Sequence, residues 1–243
     1  MKAFWATYLR ELRAFFVSPL AYVVLFFFLI VNGIVFGNLA SILSDPRSPA
    51  GPPMTYFFGS TTLILLILGV VLTMRLISEE LRSGSIEVLM TAPITEGQVI
   101  AGKYLAALTF FAALWLPTVL YAVLIDVYSE VDWGPVLAGY LGILCVGALF
   151  LAVGTFASAT TSSQLVAAMV TAALLFLLFL LGWFTDIFAG ETAKQVFSYL
   201  SLSEHLDEFS RGIVDSRRLV FYVSSTLFFL FLASRALEDK KWR

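Results

Sequence analysis

Residues 78–98 read SEELRSGSIEVLMTAPITEGQ and carry the densest cluster of charged side chains in the first half of a very apolar chain. One apolar run ends at Ile77, directly before this stretch, and another begins near Val99. A polar segment of this length, held between two apolar runs, is too short to form a domain of its own. It predicts a short helical elbow that joins two membrane-spanning helices on one side of a membrane.

The composition of the whole chain supports this interpretation. Of its 243 residues, 60% are hydrophobic and 13% are charged, and the mean hydropathy is +0.92. A soluble domain has roughly 25% charged residues. The single cysteine, Cys145, excludes an intrachain disulfide, and the single histidine, His205, excludes multi-histidine metal sites. The net charge of −2 gives no indication of a nucleic-acid partner. We therefore expect an all-α integral membrane protein.

Six apolar runs predict six transmembrane helices in a single domain that covers residues 1–243. A helix needs about 20 apolar residues to cross a bilayer. The predicted spans are residues 20–40, 56–77, 99–125, 136–156, 165–184 and 219–237. A proline-rich turn at 45–53 and a longer polar segment at 185–218 lie on the side opposite the elbow. Gly33 and Gly37 have the GxxxG spacing that lets a second helix approach closely, although they could equally serve only to fill space.

Residues 1–18 predict an amphipathic helix that lies in the membrane interface. Seven apolar residues fall within an arc of about 140° at helical periodicity, with cationic and polar residues on the other side. The apolar arc contains Phe4, Trp5, Tyr8, Leu9, Leu12, Phe15 and Phe16, and the opposite face Lys2, Thr7, Arg10, Glu11 and Arg13. A cleaved signal peptide is the less favoured alternative, because the apolar run that follows is too long for one.

The distribution of cations predicts the orientation in the membrane. Six spans put both termini and the elbow on one side, and that side has ten of the fifteen lysines and arginines: Lys2, Arg10, Arg13, Arg75, Arg82, Lys103, Arg235, Lys240, Lys241 and Arg243. The other side has five: Arg47, Lys194, Arg211, Arg217 and Arg218. Cations are enriched in cytoplasmic segments. We therefore expect both termini and the elbow in the cytoplasm.

Within the elbow, Gly84 is where the backbone can turn, and Ser85 can cap a second short helix that ends before Pro93. The spacing of Ile86 and Leu89 gives this helix an apolar stripe. A capping box at Thr95 and Gln98 would then begin the third span. The elbow thus offers four charged residues to the cytosol: Glu79, Glu80, Arg82 and Glu87. A solvated loop with ordinary caps remains an equal alternative on these grounds.

The elbow sequence from Ser78 to Ile94, followed by Gly102-Lys103 and a span, resembles the signature of ABC-2 type permeases. The N-terminal stretch RELRAFFVSPLAYV and the six-span layout resemble the same family, so that the likeness covers nearly the whole chain. The Ser18–Val23 stretch SPLAYV and the Phe209–Asp215 stretch FSRGIVD are most similar to the gliding-motility type of ABC-2 permease.

This resemblance implies a dimer of six-span subunits, either two copies or one copy with a similar subunit, docked on two ATPase subunits that bind ATP and Mg²⁺. It implies that the elbow is a coupling helix seated in a groove of the ATPase, with polar contacts from Glu79, Glu80 and Arg82. The other residues carried over are Gly84, Ile86, Glu87 and Leu89 in the coupling helix, and Phe4, Trp5, Arg10, Arg13 and Phe16 in an N-terminal connecting helix. The expected function is that of the permease subunit of an ABC exporter in the bacterial inner membrane.

The alternative function is a membrane anchor for an extracytoplasmic machine, without classical translocation of a substrate. In that case segments 45–53 and 185–218 would dock an auxiliary protein outside the cytoplasm. The absence of acidic residues in the middle of the spans argues against an ion-coupled carrier. The spans also lack paired catalytic groups, so that we expect no catalytic, cofactor or metal site in this chain.

Two motifs resemble sites but are better explained otherwise. Gly97 to Lys103 fits GxxxxGK, but Tyr104 replaces the Ser or Thr that would hold Mg²⁺, and the motif opens a membrane helix rather than following a strand. Lys103 is therefore expected to be a simple interface anchor. His205, near Glu204 and Asp207, is expected to lie on a solvated polar face rather than to bind a metal.

Overall fold

A computed structural model describes residues 2–43, 53–84, 95–128, 131–182 and 197–241. All regular elements in these ranges are helical, which confirms the all-α class. They are α1 (Lys2–Val17), α2 (Pro19–Leu43), α3 (Pro53–Ser60), α4 (Thr62–Thr73), α5 (Ser78–Ser83), α6 (Glu96–Trp115), α7 (Val119–Tyr128), α8 (Trp133–Thr160), α9 (Gln164–Leu180), α10 (Leu202–Ser210) and α11 (Ser216–Lys241), with a 3-10 turn at Leu116–Thr118. Residues 45–52 of the turn predicted at 45–53, and residues 185–196 of the polar segment predicted at 185–218, lie outside the described residues.

Five helical stretches in the described residues are long and apolar enough to cross a membrane: Pro19–Ile42, Thr62–Ser83, Glu96–Tyr128, Trp133–Thr160 and Ser216–Lys240. They correspond to five of the six predicted spans. The remaining one, predicted at 165–184, corresponds to the shorter apolar helix Gln164–Leu180. A multi-pass membrane protein is confirmed, whereas the count of six stays a prediction.

The second and third predicted spans differ from the structure at their boundaries. The predicted span 56–77 is interrupted at Thr61, whose hydroxyl donates to the carbonyl of Phe58 at 2.7 Å. Pro53 begins the separate helix α3, as proline can at a first helical position, although it was predicted to belong to the turn. The third predicted span changes to a 3-10 turn around Pro117 because proline has no N–H to continue the α-helical pattern.

Helix α8 lies at the centre of the bundle because small residues let its neighbours approach on several sides. A Cβ atom on Gly147 would lie 2.3 Å from the Phe111 ring of α6, and one on Gly154 would lie 1.9 Å from Thr73 Oγ1 of α4. Seventeen residues of α8 are buried. A helix that is apolar on all sides is expected to be enclosed by others.

Contacts between helix ends define two ends of the bundle. At one end, Ser158 near the end of α8 contacts the residues that precede α5. At the other end, Thr55 of α3 donates a hydrogen bond to the carbonyl of Ser210 at 3.2 Å. A Cβ on Gly212 would lie 3.3 Å from the nitrogen of Pro135, in the first turn of α8. The elbow and the α10 region therefore lie at opposite ends, as the alternation of spans predicts.

Candidate functional site: a charged cluster beside the elbow

The candidate site is where α1 packs along α6, directly behind the elbow. The rings of Phe15 and Phe110 stack with centroids 5.2 Å apart. Tyr8 Oη and Thr109 Oγ1 lie 3.1 Å apart within hydrogen-bonding distance. Gly102 leaves room for α1, since a Cβ there would lie 3.3 Å from the side chain of Thr7. These contacts fix the N-terminal helix to the first half of the third span.

Four charged residues from three helices meet in this place, and we refer to Arg10, Glu11, Glu80 and Lys103 as the ionic cluster. Lys103 Nζ lies 3.0 Å from Glu11 Oε1 and 3.0 Å from Glu80 Oε1. Arg10 Nη2 lies 2.8 Å and 3.0 Å from the same two oxygens. Each carboxylate therefore contacts both cations, and the cluster joins α1, α5 and α6.

The ion pairs of the ionic cluster are largely buried, so that breaking one of them is expected to lower the stability of the fold. The Lys103 side chain is only 2% exposed, and the Glu11 and Glu80 side chains are 16% and 19% exposed. Removing one partner of a buried ion pair costs roughly 3–5 kcal/mol, because it leaves an uncompensated charge. Burial opposes the charged form of Arg10, but the adjacent Glu11 and Glu80 carboxylates outweigh it and raise the pKa of Arg10. The prediction that Lys103 is a simple interface anchor is wrong.

The polar side of α1 also differs from the expectation. Thr7 is 4% exposed and Glu11 faces α6, so that part of this side is turned into the protein rather than toward lipid headgroups. The reason is that Lys103 on α6 offers Glu11 a buried cation. Trp5 and Phe16 keep exposures of 56% and 44% on the outer surface, where apolar side chains were expected. Arg13 is exposed and Phe4 is half-buried.

The start of the elbow is held by a residue from the far end of α8. The backbone N–H groups of Ile77 and Ser78 both donate to Ser158 Oγ, each at 3.0 Å. Both serines are fully buried. Gly84 then ends α5 with φ at 71°, a left-handed conformation that favours glycine. The backbone turn expected at Gly84 is therefore present.

The predicted contact residues of the elbow have three different environments. Glu80 faces the ionic cluster. Glu79 accepts two hydrogen bonds from Arg75, at 2.9 Å and 3.1 Å, at the surface. Arg82 is exposed in the last turn of α5. Ile86, Glu87 and Leu89 lie outside the described residues. Glu79 and Arg82 are thus the exposed charged residues of the first described part of the elbow, residues 78–84.

The predicted capping box at the start of the third span is wrong in its side-chain part. Thr95 occupies the N-cap position of α6 with extended backbone angles, as expected, but its side chain makes no capping hydrogen bond. Its carbonyl accepts from the backbone N–H of Gln98 at 2.9 Å instead.

The two glycines of the GxxxG motif do not bring another helix into close contact within the described chain. A Cβ on Gly33 would lie 3.8 Å from the hydroxyl of Tyr121, and one on Gly37 would meet nothing within 4 Å. Their role in packing between spans stays a prediction, and Gly37 faces open space on the outside of α2.

At the opposite end of the bundle, His205 is buried rather than solvated, which corrects the expectation for this residue. Its Nε2 lies 3.1 Å from the carbonyl of Tyr199, and its Nδ1 lies 3.0 Å from the hydroxyl of Tyr222. Since a carbonyl can only accept, Nε2 carries the proton and Nδ1 accepts from Tyr222. Burial, and then the charge of Arg218, lower the pKa of His205 to about 4.

Sequence reasoning missed Lys103, Glu11 and Ser158 as parts of the site. The partners are 92 residues apart along the chain in the Lys103–Glu11 pair, 70 in the Arg10–Glu80 pair and 80 in the Ser78–Ser158 contact. No local pattern marks such contacts. The one signal available was a lysine four residues after the start of the apolar span predicted at 99–125, a position that favours a partner of opposite charge.

A comparison with protein-family models assigns residues 48–209, which is 162 of the 243 residues, to the family described as ABC-2 family transporter protein. The matched region begins in the segment before α3 and ends in α10, and so includes the elbow. A comparison with curated proteins finds no match.

Proposed function

This chain belongs to the ABC-2 family of transporter proteins, and we propose that it is the permease subunit of an exporter whose ATP is hydrolysed by a separate ATPase subunit. Membership in the family makes the chain a membrane component of an ABC transporter, and five stretches capable of crossing a membrane fit this role. The ATPase, with its ATP and Mg²⁺, docks on the elbow, and the permease itself contributes no catalytic group.

The observation that carries the proposal is the ionic cluster beside the elbow. It links α1, α5 and α6 through four ion pairs of 3.0 Å or less. A force applied to the elbow is therefore delivered to both spans that it connects, and to the N-terminal helix. A loose, solvated loop would transmit little of this motion, since packed elements with fixed contacts carry coupling between sites.

The surface that meets the ATPase consists of the accessible charges Glu79 and Arg82, the following residues of the elbow and the outer face of α1. Glu80 acts from inside, by holding α5 against Lys103. The resemblance assigned contact with the ATPase to Glu79, Glu80 and Arg82 together. In this proposal Glu79 and Arg82 contact the ATPase, and Glu80 holds the elbow in place.

Two permease subunits form the complete membrane unit in this proposal, with both termini in the cytoplasm. The open position of Gly37 on α2 supports a second subunit there, because a helix from that subunit can approach where no Cβ intervenes. The cation excess at the elbow end supports the orientation.

A co-purification experiment with the cognate ATPase tests the proposal. The wild-type chain is expected to bring down the ATPase and stimulate ATP hydrolysis, and the mass of the complex is expected to equal two permease and two ATPase subunits. Arg82→Glu is expected to weaken the association about tenfold or more, as loss and reversal of an interfacial charge contact does. Arg235→Glu, an exposed arginine of α11, is the matched control and is expected to bind normally.

The proposal fails if the ATPase does not associate with the wild-type chain. If the ATPase binds but Arg82→Glu has no effect, the elbow is not the contact. A complex that hydrolyses ATP but moves no substrate into or out of liposomes favours the alternative, a membrane anchor of an extracytoplasmic machine. The basis of that alternative is the similarity of the stretches Ser18–Val23 and Phe209–Asp215 to the gliding-motility type of permease.

A further inference from the structure

The start of the elbow takes its hydrogen-bond acceptor from a distant helix. Just before it, the N–H of Leu76 donates to the carbonyl of Thr73 at 3.0 Å. The N–H groups of Ile77 and Ser78 instead donate to the hydroxyl oxygen of Ser158, each at 3.0 Å. The first N–H groups of a helix have no acceptor in its own backbone, and a serine that directly precedes the helix often accepts from one of them. Here the serine belongs to α8.

This contact is shielded from water. Ile77, Ser78 and Ser158 are all 0% exposed, so that solvent does not offer the two N–H groups another acceptor. A buried donor that loses its acceptor retains the full cost of its desolvation. Ser158 therefore fixes the first residues of the elbow to the end of α8 by a contact that is costly to break.

Towards its other end, α8 is in close contact with α10. A Cβ atom on Gly142 would lie 2.8 Å from both Cβ and Cγ of Phe209, which is closer than packed side chains allow. Helix α10 is bound in turn to α11, since Nε and Nη2 of Arg218 each lie 3.0 Å from a carboxylate oxygen of Glu208. Gly142 and Ser158 are about 24 Å apart along the axis of α8.

Between these two contacts α8 is continuous and tightly packed. It runs from Trp133 to Thr160 as one α-helix. A Cβ on Gly147 would lie 2.3 Å from the ring of Phe111, so that α8 and α6 have no free space between them at this level. Interiors packed to this density have low compressibility and transmit strain. A displacement at one end of α8 is therefore expected to reach the other end.

We propose that Ser158 is a positioning residue that links the elbow to α8, and through α8 to α10 at the opposite end of the bundle. Its hydroxyl holds the start of the elbow, and the contact at Gly142 passes a displacement of α8 to α10. A movement of the elbow thus changes the position of α10 as well as that of the two spans that the elbow connects. The link belongs to this chain alone; only its use in transmitting force from an ATPase rests on the proposed function.

Hydrogen–deuterium exchange of the purified chain in detergent, without an ATPase, tests the link on peptides that contain Ile77 and Ser78. Ser158→Ala is expected to raise the exchange rate of these two amides about tenfold, because both lose their acceptor. Thr155→Val is the matched control. Thr155 is equally buried on α8, but its hydroxyl donates to the carbonyl of Leu151 in the same helix, at 2.7 Å. This variant is expected to exchange as the wild type does.

Gly142→Ala extends the test along α8. Its added methyl group displaces Phe209, and the exchange rate at the start of the elbow is expected to rise about threefold. In the Ser158→Ala background the same substitution is expected to have no further effect, because the link is already broken. This comparison uses exchange times at which the amides of the Ser158→Ala chain are still partly protected. Gly59→Ala, in open space on α3, is the control and is expected to change nothing. Phe209→Leu, which weakens the same contact from α10, replaces Gly142→Ala if that variant does not fold.

Several results would overturn the inference. Unchanged exchange in Ser158→Ala shows that the hydroxyl does not hold the elbow, and an equal rise in Thr155→Val shows that any change inside α8 has this effect. Unchanged exchange in Gly142→Ala shows that α8 does not transmit a displacement. Equal rises from Gly142→Ala with and without Ser158 show that the displacement reaches the elbow by another route. If the link is found but no ATPase binds the chain, the proposed function fails and the link remains.

Discussion

Lys103 is the residue on which the contacts around the elbow converge, because its ammonium group lies 3.0 Å from two carboxylates of different helices. Lys103→Met keeps the apolar stem but leaves Glu11 and Glu80 close together with only Arg10 between them. We expect a loss of about 3 kcal/mol, at the low end of the cost of breaking a buried ion pair, because Arg10 still contacts both acids. Thermal unfolding in detergent measures this loss.

Arg75→Gln is the matched control for Lys103→Met. Arg75 pairs with Glu79 at 2.9 Å, but the two side chains are 42% and 48% exposed. Exposed pairs contribute about 0–1 kcal/mol. A Lys103→Met protein that unfolds at the same temperature as Arg75→Gln would show that the ionic cluster does not hold the helices together.

Gly154 is the residue at which the closest approach between α8 and a neighbour occurs. A Cβ there would lie 1.9 Å from Thr73 Oγ1, whose hydroxyl donates to the carbonyl of Gly69 at 2.6 Å. Gly154→Ala therefore forces α4 away from α8, and we expect a loss of about 1–3 kcal/mol from overpacking. Gly59→Ala, at an exposed helical position with open space around it, should instead be neutral or gain up to about 1 kcal/mol. Equal melting temperatures of the two variants would contradict this packing.

Among individual residues, those identified by local chemistry could be predicted and those defined by distant partners could not. Gly84 was expected to turn the chain because glycine alone adopts positive φ without strain, and it does so. Lys103 and His205 look like surface residues in the sequence, since a charged or polar side chain is usually exposed. Only the fold shows that Glu11 and Glu80 contact Lys103 and that Tyr222 contacts His205.

At the scale of helices, periodicity and apolar length predicted where the spans occur but not how they break. The first span was predicted at 20–40 and forms Pro19–Leu43. The second divides at Thr61, where the threonine hydroxyl donates to the carbonyl of Phe58 three residues earlier. The packing side of α1 could not be predicted either, since an amphipathic sequence does not specify whether its polar face meets headgroups or a charged partner.

Helix α10 provides a prediction at this scale, because a neutral His205 attaches it to α11 through Tyr222. The folded-state pKa of His205 is lowered to about 4 from the ordinary 6.5, so that the unfolded chain binds the proton more readily. The stabilisation is therefore fully present above pH 6.5 and is lost as the pH falls toward 4. We expect the free energy of unfolding to drop by about 1–3 kcal/mol over this range.

The pH dependence can be assigned to His205 by comparing the wild type with His205→Gln in unfolding experiments between pH 7 and pH 5. Over this interval the wild type should lose stability progressively, whereas the variant should show a flatter profile, because glutamine does not titrate. Parallel profiles would mean that other groups cause the decline.

At the scale of the whole molecule, contacts between helix ends define two ends of the bundle. These two ends match the two sides predicted from the distribution of lysines and arginines. The elbow end has the cluster of α1, α5 and α6, together with Ser158 of α8. The other end has α10, the start of α11 and the start of α8. The alternation of predicted spans assigns ten of the fifteen lysines and arginines in the sequence to the elbow side. Because arginine and lysine are retained on the cytoplasmic side, we expect the elbow in the cytoplasm.

Labelling of single cysteines with a membrane-impermeant maleimide measures this orientation, because Cys145 is the only native cysteine and Cys145→Ala removes it. In intact cells, Tyr128→Cys should react, since Tyr128 is 89% exposed at the end of α7, opposite the elbow. Arg82→Cys should react only after permeabilisation. Both must react in detergent, which controls for access. Reaction of Arg82→Cys in intact cells would place the elbow outside, where no cytoplasmic ATPase could contact it, whereas the contacts of the ionic cluster would be unaffected by that result.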